Sequence, residues 1–244
     1  MPHERLSVWT LCALAAIAFV IACAAHEVVG HGLACLGTGG TVTLLTSVYF
    51  RCHPGLAIVD AAGPLGSLCT AAAAAIALGR SRQGATEAVF LALLLAFSGL
   101  WGAGCCILSA ATDTSDLAFV LRDLSLQPRW AWRLALGIAG IWLYVIVLRR
   151  AATGLPTGTP LLAAYCTAGA VACLSVLFYP GVALTTLKEV ALESLLAPVG
   201  LLFVAASRTL SRMSSLPFSR AIVLAAAATV AVFWLTLGRG LSGI

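Results

Sequence analysis

His26-Glu27-Val28-Val29-Gly30-His31 closes a long apolar run, and its reading decides how the rest of the chain is understood. It is read as the H-E-x-x-H zinc pattern on a helix. In that pattern two histidines stand one α-helical turn apart on one face, and their imidazoles reach one metal ion. The glutamate after the first histidine faces a metal-bound water and takes its proton. The expectation is an α-helical pair, His26 and His31, holding Zn2+, with Glu27 as the catalytic base.

The surroundings are those of a bilayer. Of 244 residues, 61% are hydrophobic and 9% charged, where a soluble domain carries about 25% charged residues. An integral, multi-pass membrane protein is expected, with a bacterial cell membrane as its location. The formal charge of +5 comes almost entirely from arginine, Lys188 being the one lysine. The arginines fall in short clusters between apolar runs, as topology signals do. No nucleic-acid partner is expected. The run from Leu6 to Ala25 has no charge and is long enough to cross a bilayer. It passes straight into the motif with no cleavage site set apart, which favours a membrane helix reaching about Leu36 over a signal peptide.

Gly37-Thr38-Gly39-Gly40 ends that helix. Thr41 to Phe50 is rich in β-branched and aromatic residues, and Leu56 to Val59 is a second short apolar piece after the turn Arg51-Cys52-His53-Pro54-Gly55. A small β-hairpin is expected from these two pieces. Further membrane helices are expected at about Ala61–Gly79, Glu87–Ala110, Trp130–Leu148, Leu161–Phe178, Val182–Ala206 and Ala221–Leu237. A short helix capped by Thr112 or Asp113 and ending near Leu126 comes before Pro128. The fold class is thus all-α and polytopic, with six to seven transmembrane helices and a hairpin after the first. Residues 1–126 form the core carrying the motif, and residues 127–244 add helices to the same membrane domain. The count is left open by the segment from Val182, which carries Lys188, Glu189 and Glu193. These charges fit placement near the headgroups, or a functional role at membrane depth.

Nine cysteines are present. Cys12, Cys23, Cys69, Cys105, Cys106, Cys166 and Cys173 lie in apolar runs and are expected to pack as small hydrophobes. An odd count without Cys-x-x-Cys spacing argues against a disulfide framework. Cys52, beside His53, stands apart from the others.

A catalytic zinc needs a third protein ligand and an open position. His53, Asp60, Asp113, Asp116, Glu189 and Glu193 are the candidates, with His3 a remote one in the tail. Spacing does not choose among them.

The motif, with Gly37-Thr38-Gly39-Gly40-Thr41-Val42 after it, resembles the first block of the site-2 protease family of intramembrane zinc metallopeptidases. Ala62-Gly63-Pro64-Leu65 is similar to that family's Ala-Gly-Pro element. The resemblance implies an aspartate at the start of a later helix as third ligand, which points to Asp116, with Asp113 second. The family's asparagine beside that aspartate is missing, and Leu117 stands where its glycine would be. The resemblance implies a zinc metalloendopeptidase acting on transmembrane or membrane-associated protein substrates, with a membrane partner as a possible regulator. Two other readings stand beside it. One is a prenyl-protein (CAAX-type) endopeptidase, with Glu189 or Glu193 on the metal. The other is a non-catalytic scaffold or chaperone.

Overall fold

The computed structural model describes residues 6–82, 85–181, 183–207 and 215–243. Seven helices in these residues are long and apolar enough to cross a membrane. They are α1 (Val8–Gly37), α2 (Ala57–Arg80), α3 (Thr86–Ala111), α5 (Arg129–Ala152), α6 (Thr159–Phe178), α7 (Leu184–Ala206) and α8 (Arg220–Gly238). A short helix, α4 (Asp116–Asp123), lies between α3 and α5. Strands β1 (Thr41–Leu45) and β2 (Phe50–His53) form an antiparallel hairpin after α1. The chain is an all-α polytopic membrane protein with one small hairpin.

Large apolar side chains cover its outer surface. Trp9, Ile138, Leu177, Leu184 and Leu224 are all exposed, as suits a lipid solvent. The interior is built on α3, the most buried of the long helices, which packs against α1, α2 and α5. Helix α5 is the least buried and forms a flank.

The motif departs from its first reading by one residue. His26 and His31 are five apart, so the stretch is H-E-x-x-x-H. On a regular α-helix, five residues leave two side chains about 140° apart around the axis, on different faces. The chain resolves this by forming a π-helical turn over Ala25–Gly32, inside the otherwise α-helical α1. With i→i+5 hydrogen bonding, residue i+5 lies about one turn above residue i. The extra residue is absorbed and both imidazoles return to one side.

This wider turn packs against α2, where small residues leave room. A Cβ at Gly30 would strike the carbonyl of Ala62, and a Cβ at Gly63 would overlap the His31 ring. The Ala62-Gly63-Pro64 element is therefore the surface that receives the π turn.

The hairpin also differs from expectation. Its turn is Thr46–Tyr49, not Arg51–Gly55, because the Thr46 hydroxyl accepts the N–H groups of Val48 and Tyr49 at 3.2 and 2.7 Å. Leu56 to Val59 is no strand. The Leu56 carbonyl accepts the Val59 N–H at 2.8 Å and begins the winding of α2.

One disulfide, Cys35–Cys52, corrects the expectation of no disulfide framework. Folding β2 back over the end of α1 brings together two cysteines distant in sequence. The seven cysteines of the apolar runs are free thiols.

The outer edge of β1 is occupied by residues beyond α8. Leu45 and Leu241 exchange two backbone hydrogen bonds of 2.8 Å, and Gly243 N–H reaches the Val42 carbonyl at 3.1 Å.

Candidate metal centre

His26, Glu27 and His31 are each at most 3% exposed. Polar groups buried this deeply need partners, and each imidazole has one on its far side. His31 Nδ1 lies 2.7 Å from the Val59 carbonyl. A carbonyl only accepts, so Nδ1 carries the hydrogen, and in the neutral ring Nε2 presents a lone pair. His26 Nδ1 shares a 3.0 Å hydrogen bond with the buried Ser67 hydroxyl. The rings are also clamped. His26 stacks on Trp101 and His31 on Phe50, each at 5.1 Å between centroids.

Both free nitrogens face one carboxylate oxygen. Asp116 Oδ2 is 3.2 Å from His26 Nε2 and 3.7 Å from His31 Nε2. Asp116 is the first residue of α4, where the helix dipole favours a negative charge. Burial alone would raise its pKa. The hydrogen bonds and charge of the two histidines outweigh that and hold the carboxyl below the usual carboxylate range. The side chain keeps 24% of its surface exposed, so water can approach from that side.

Without a metal, protons on the two Nε2 atoms satisfy Asp116 Oδ2; an ion held among the three groups would take the place of those protons. A tetrahedral zinc with nitrogen and oxygen ligands at about 2.0–2.1 Å has ligand–ligand edges of about 3.3–3.4 Å, close to the two spacings found. Histidines that ligate metals donate their other N–H to an oxygen, as His31 does to Val59. His26, Cys105 and Asp116 bring one donor atom each within 4.8 Å of one another; His31 is not in that group and reaches it only through Asp116, at 3.7 Å. The donor set fits a metal ion.

Glu27 completes the centre. It is buried beside His26, interacts electrostatically with both histidines and Asp116, and leaves Oε2 with no hydrogen-bond partner.

The other expected ligands lie elsewhere. Asp113 is exposed and pairs with Arg133 at 3.3 Å. His53 is exposed on β2. Asp60 follows the carbonyl that anchors His31 but is not in the donor group, and neither is Glu189 or Glu193. Glu193 instead lines a cavity of about 450 Å³ that also touches Trp101, Cys105 and Ser115. Its Oε2 is buried without a partner. His3 lies outside the described residues.

Cys105 was missed as a donor because its sequence context, Ser98 to Cys106, reads as a small-residue packing face. Ser67 was legible only as a small residue. Nothing in the sequence singles out the Val59 carbonyl, since any residue supplies one.

The fold and the centre define a class: a polytopic membrane protein with a His/Asp/Cys donor cluster beside a buried glutamate. Compared with known proteins, the chain matches no family model, no curated protein and no solved structure.

Proposed function

We propose that the chain is an intramembrane zinc metalloendopeptidase of the site-2 protease type, cutting peptide bonds of membrane-embedded protein substrates in a bacterial cell membrane. One observation carries this reading. His26 and His31 on the membrane-length helix α1 both face Asp116 at the start of the short helix α4, beside Glu27, whose Oε2 is buried without a partner. A zinc ion held by His26, His31 and Asp116 would polarise the scissile carbonyl and acidify the attacking water.

Glu27 would act as the base, taking a proton from the attacking water and returning it to the leaving amine nitrogen. The Val59 carbonyl and Ser67 hydroxyl hold the rings with Nε2 toward Asp116, the orientation in which they would hold an ion. Trp101 and Phe50 cover the imidazole faces and keep the centre dry on that side. A substrate must unwind to expose a peptide bond, and the hairpin suits such a segment by strand addition. The β1 edge is held by Leu241 and Gly243, so a substrate pairing there displaces them, with or without help from a membrane partner.

The test is Glu27→Gln in purified protein co-reconstituted with single-span membrane proteins. Cleavage is expected to disappear while zinc stays bound. Cleavage that persists overturns the reading. The non-catalytic scaffold is the second reading, and Cys105 favours it, because four protein ligands are the mark of a structural zinc.

A further inference from the structure

Cys105 has no part in the reaction just described, yet it lies at the centre. Its Sγ is 3.9 Å from Asp116 Oδ2, the oxygen that both histidines face. With zinc–sulfur at about 2.3 Å and zinc–oxygen at about 2.0–2.1 Å, the sulfur–oxygen edge of a tetrahedron is about 3.5–3.6 Å. Oδ2 has three donor neighbours, at 3.2, 3.7 and 3.9 Å, and His26, Cys105 and Asp116 lie within 4.8 Å of one another, a group that His31 approaches only through Asp116.

The four donors are not held alike. His26 and His31 are each fixed by a hydrogen bond behind the ring and an aromatic face. The hydrogen bond of the Cys105 thiol goes to Asp116 itself, which a metal would replace. Its other side opens on the cavity of about 450 Å³ shared with Trp101, Ser115 and Glu193.

We propose that Cys105 is a fourth, exchangeable metal ligand that caps the centre in its resting state. The proposal rests on the reading of the site as a metal centre. In the capped state the thiol has given its proton to solvent, a sulfur–metal bond is formed and the water in the fourth position has left. Uncapping reverses each of these changes. The thiol regains a proton and turns into the cavity, and water takes the vacant position. No oxidation state changes.

The experiment loads full-length protein in detergent with Co2+, a spectroscopic stand-in for zinc. One Co2+ per chain is expected, with a near-ultraviolet sulfur-to-cobalt charge-transfer band. The band is lost in Cys105→Ala and Cys105→Ser, with Co2+ stoichiometry retained. It persists in Cys106→Ala, whose side chain packs on Gly140 instead. Cys105→Ala is also expected to cleave membrane substrates several-fold faster than the unaltered chain. Bound Co2+ without the band, or a band that survives in Cys105→Ala, overturns the ligand assignment and leaves the metal centre standing. A band with no gain in cleavage overturns the cap. Failure to bind Co2+ at all overturns the metal-centre reading, and this proposal with it.

Discussion

His26 and His31 are five residues apart and still direct both Nε2 atoms at one oxygen of Asp116. The π turn over Ala25–Gly32 makes this possible. Such turns arise where a helix carries one residue too many and recur at functional sites. Deleting Val29 would give a four-residue spacing, which a plain α-helix already places on one face. The variant is therefore expected to keep one zinc per chain by elemental analysis. Loss of zinc from a folded deletion variant would mean that the π turn itself shapes the centre.

Gly63 leaves the space that the His31 ring fills. Gly63→Ala pushes the ring away from Asp116 without removing any donor. Zinc affinity is expected to fall about tenfold to a hundredfold, the range seen when support around a metal ligand is lost. Competition against a chromophoric chelator measures it. Gly79→Ala, at the far end of α2, should leave affinity unchanged.

Asp116 and Asp113 are separated by three positions and by their surroundings. Asp116→Ala is expected to abolish stoichiometric zinc binding. Asp113→Ala removes only an exposed pair with Arg133, a type of contact that contributes about 0–1 kcal/mol. Parallel metal analysis of the two variants decides the third ligand.

Metal removal should destabilise the folded chain. An ion that binds only the native state at about a thousand times its Kd adds about 4 kcal/mol. Chelation is expected to lower the thermal midpoint of the purified protein, and His26→Ala to remove the sensitivity to chelator. An unchanged midpoint on chelation would argue that no metal is bound.

The β1 edge yields a further variant. Ending the chain after Gly240 removes the Leu241 and Gly243 hydrogen bonds from β1. Faster cleavage of reconstituted membrane substrates is expected if that edge receives the substrate. Equal rates would move substrate binding elsewhere.

The helices were legible because charge-free runs of about 20 residues have few alternatives in a chain of this composition. Glu27 and the two histidines were legible because ionisable residues at the end of such a run stand out. The π turn was open to reading from the five-residue spacing, but the stretch was matched to the four-residue pattern. Asp116 was reached through the family resemblance, since spacing could not separate it from Asp113. What separates them is burial: α4 begins at Asp116 and turns that carboxylate inward, while Asp113 stays at the surface beside Arg133. The hairpin was misplaced because the Thr46 hydroxyl closes a turn that Pro54-Gly55 appeared to own. Cys105 and Ser67 were hidden because small residues in membrane helices mostly serve packing.

The Cys35–Cys52 bond has a consequence for the compartment in which the centre works. Disulfides persist in oxidising surroundings and are rare where thiols are kept reduced. The end of α1, the hairpin and the segment that follows α8 lie together at the disulfide end of the bundle. Arg80, Arg149 and Arg150 close α2 and α5 at the other end. An orientation with the hairpin outside and those arginines in the cytoplasm is therefore expected. His26 and His31 sit in the second half of α1, so in that orientation peptide bonds would be cut nearer the outer leaflet. A membrane-impermeant thiol reagent applied to intact cells after mild reduction should label Cys52, and should fail to do so if the orientation is the reverse.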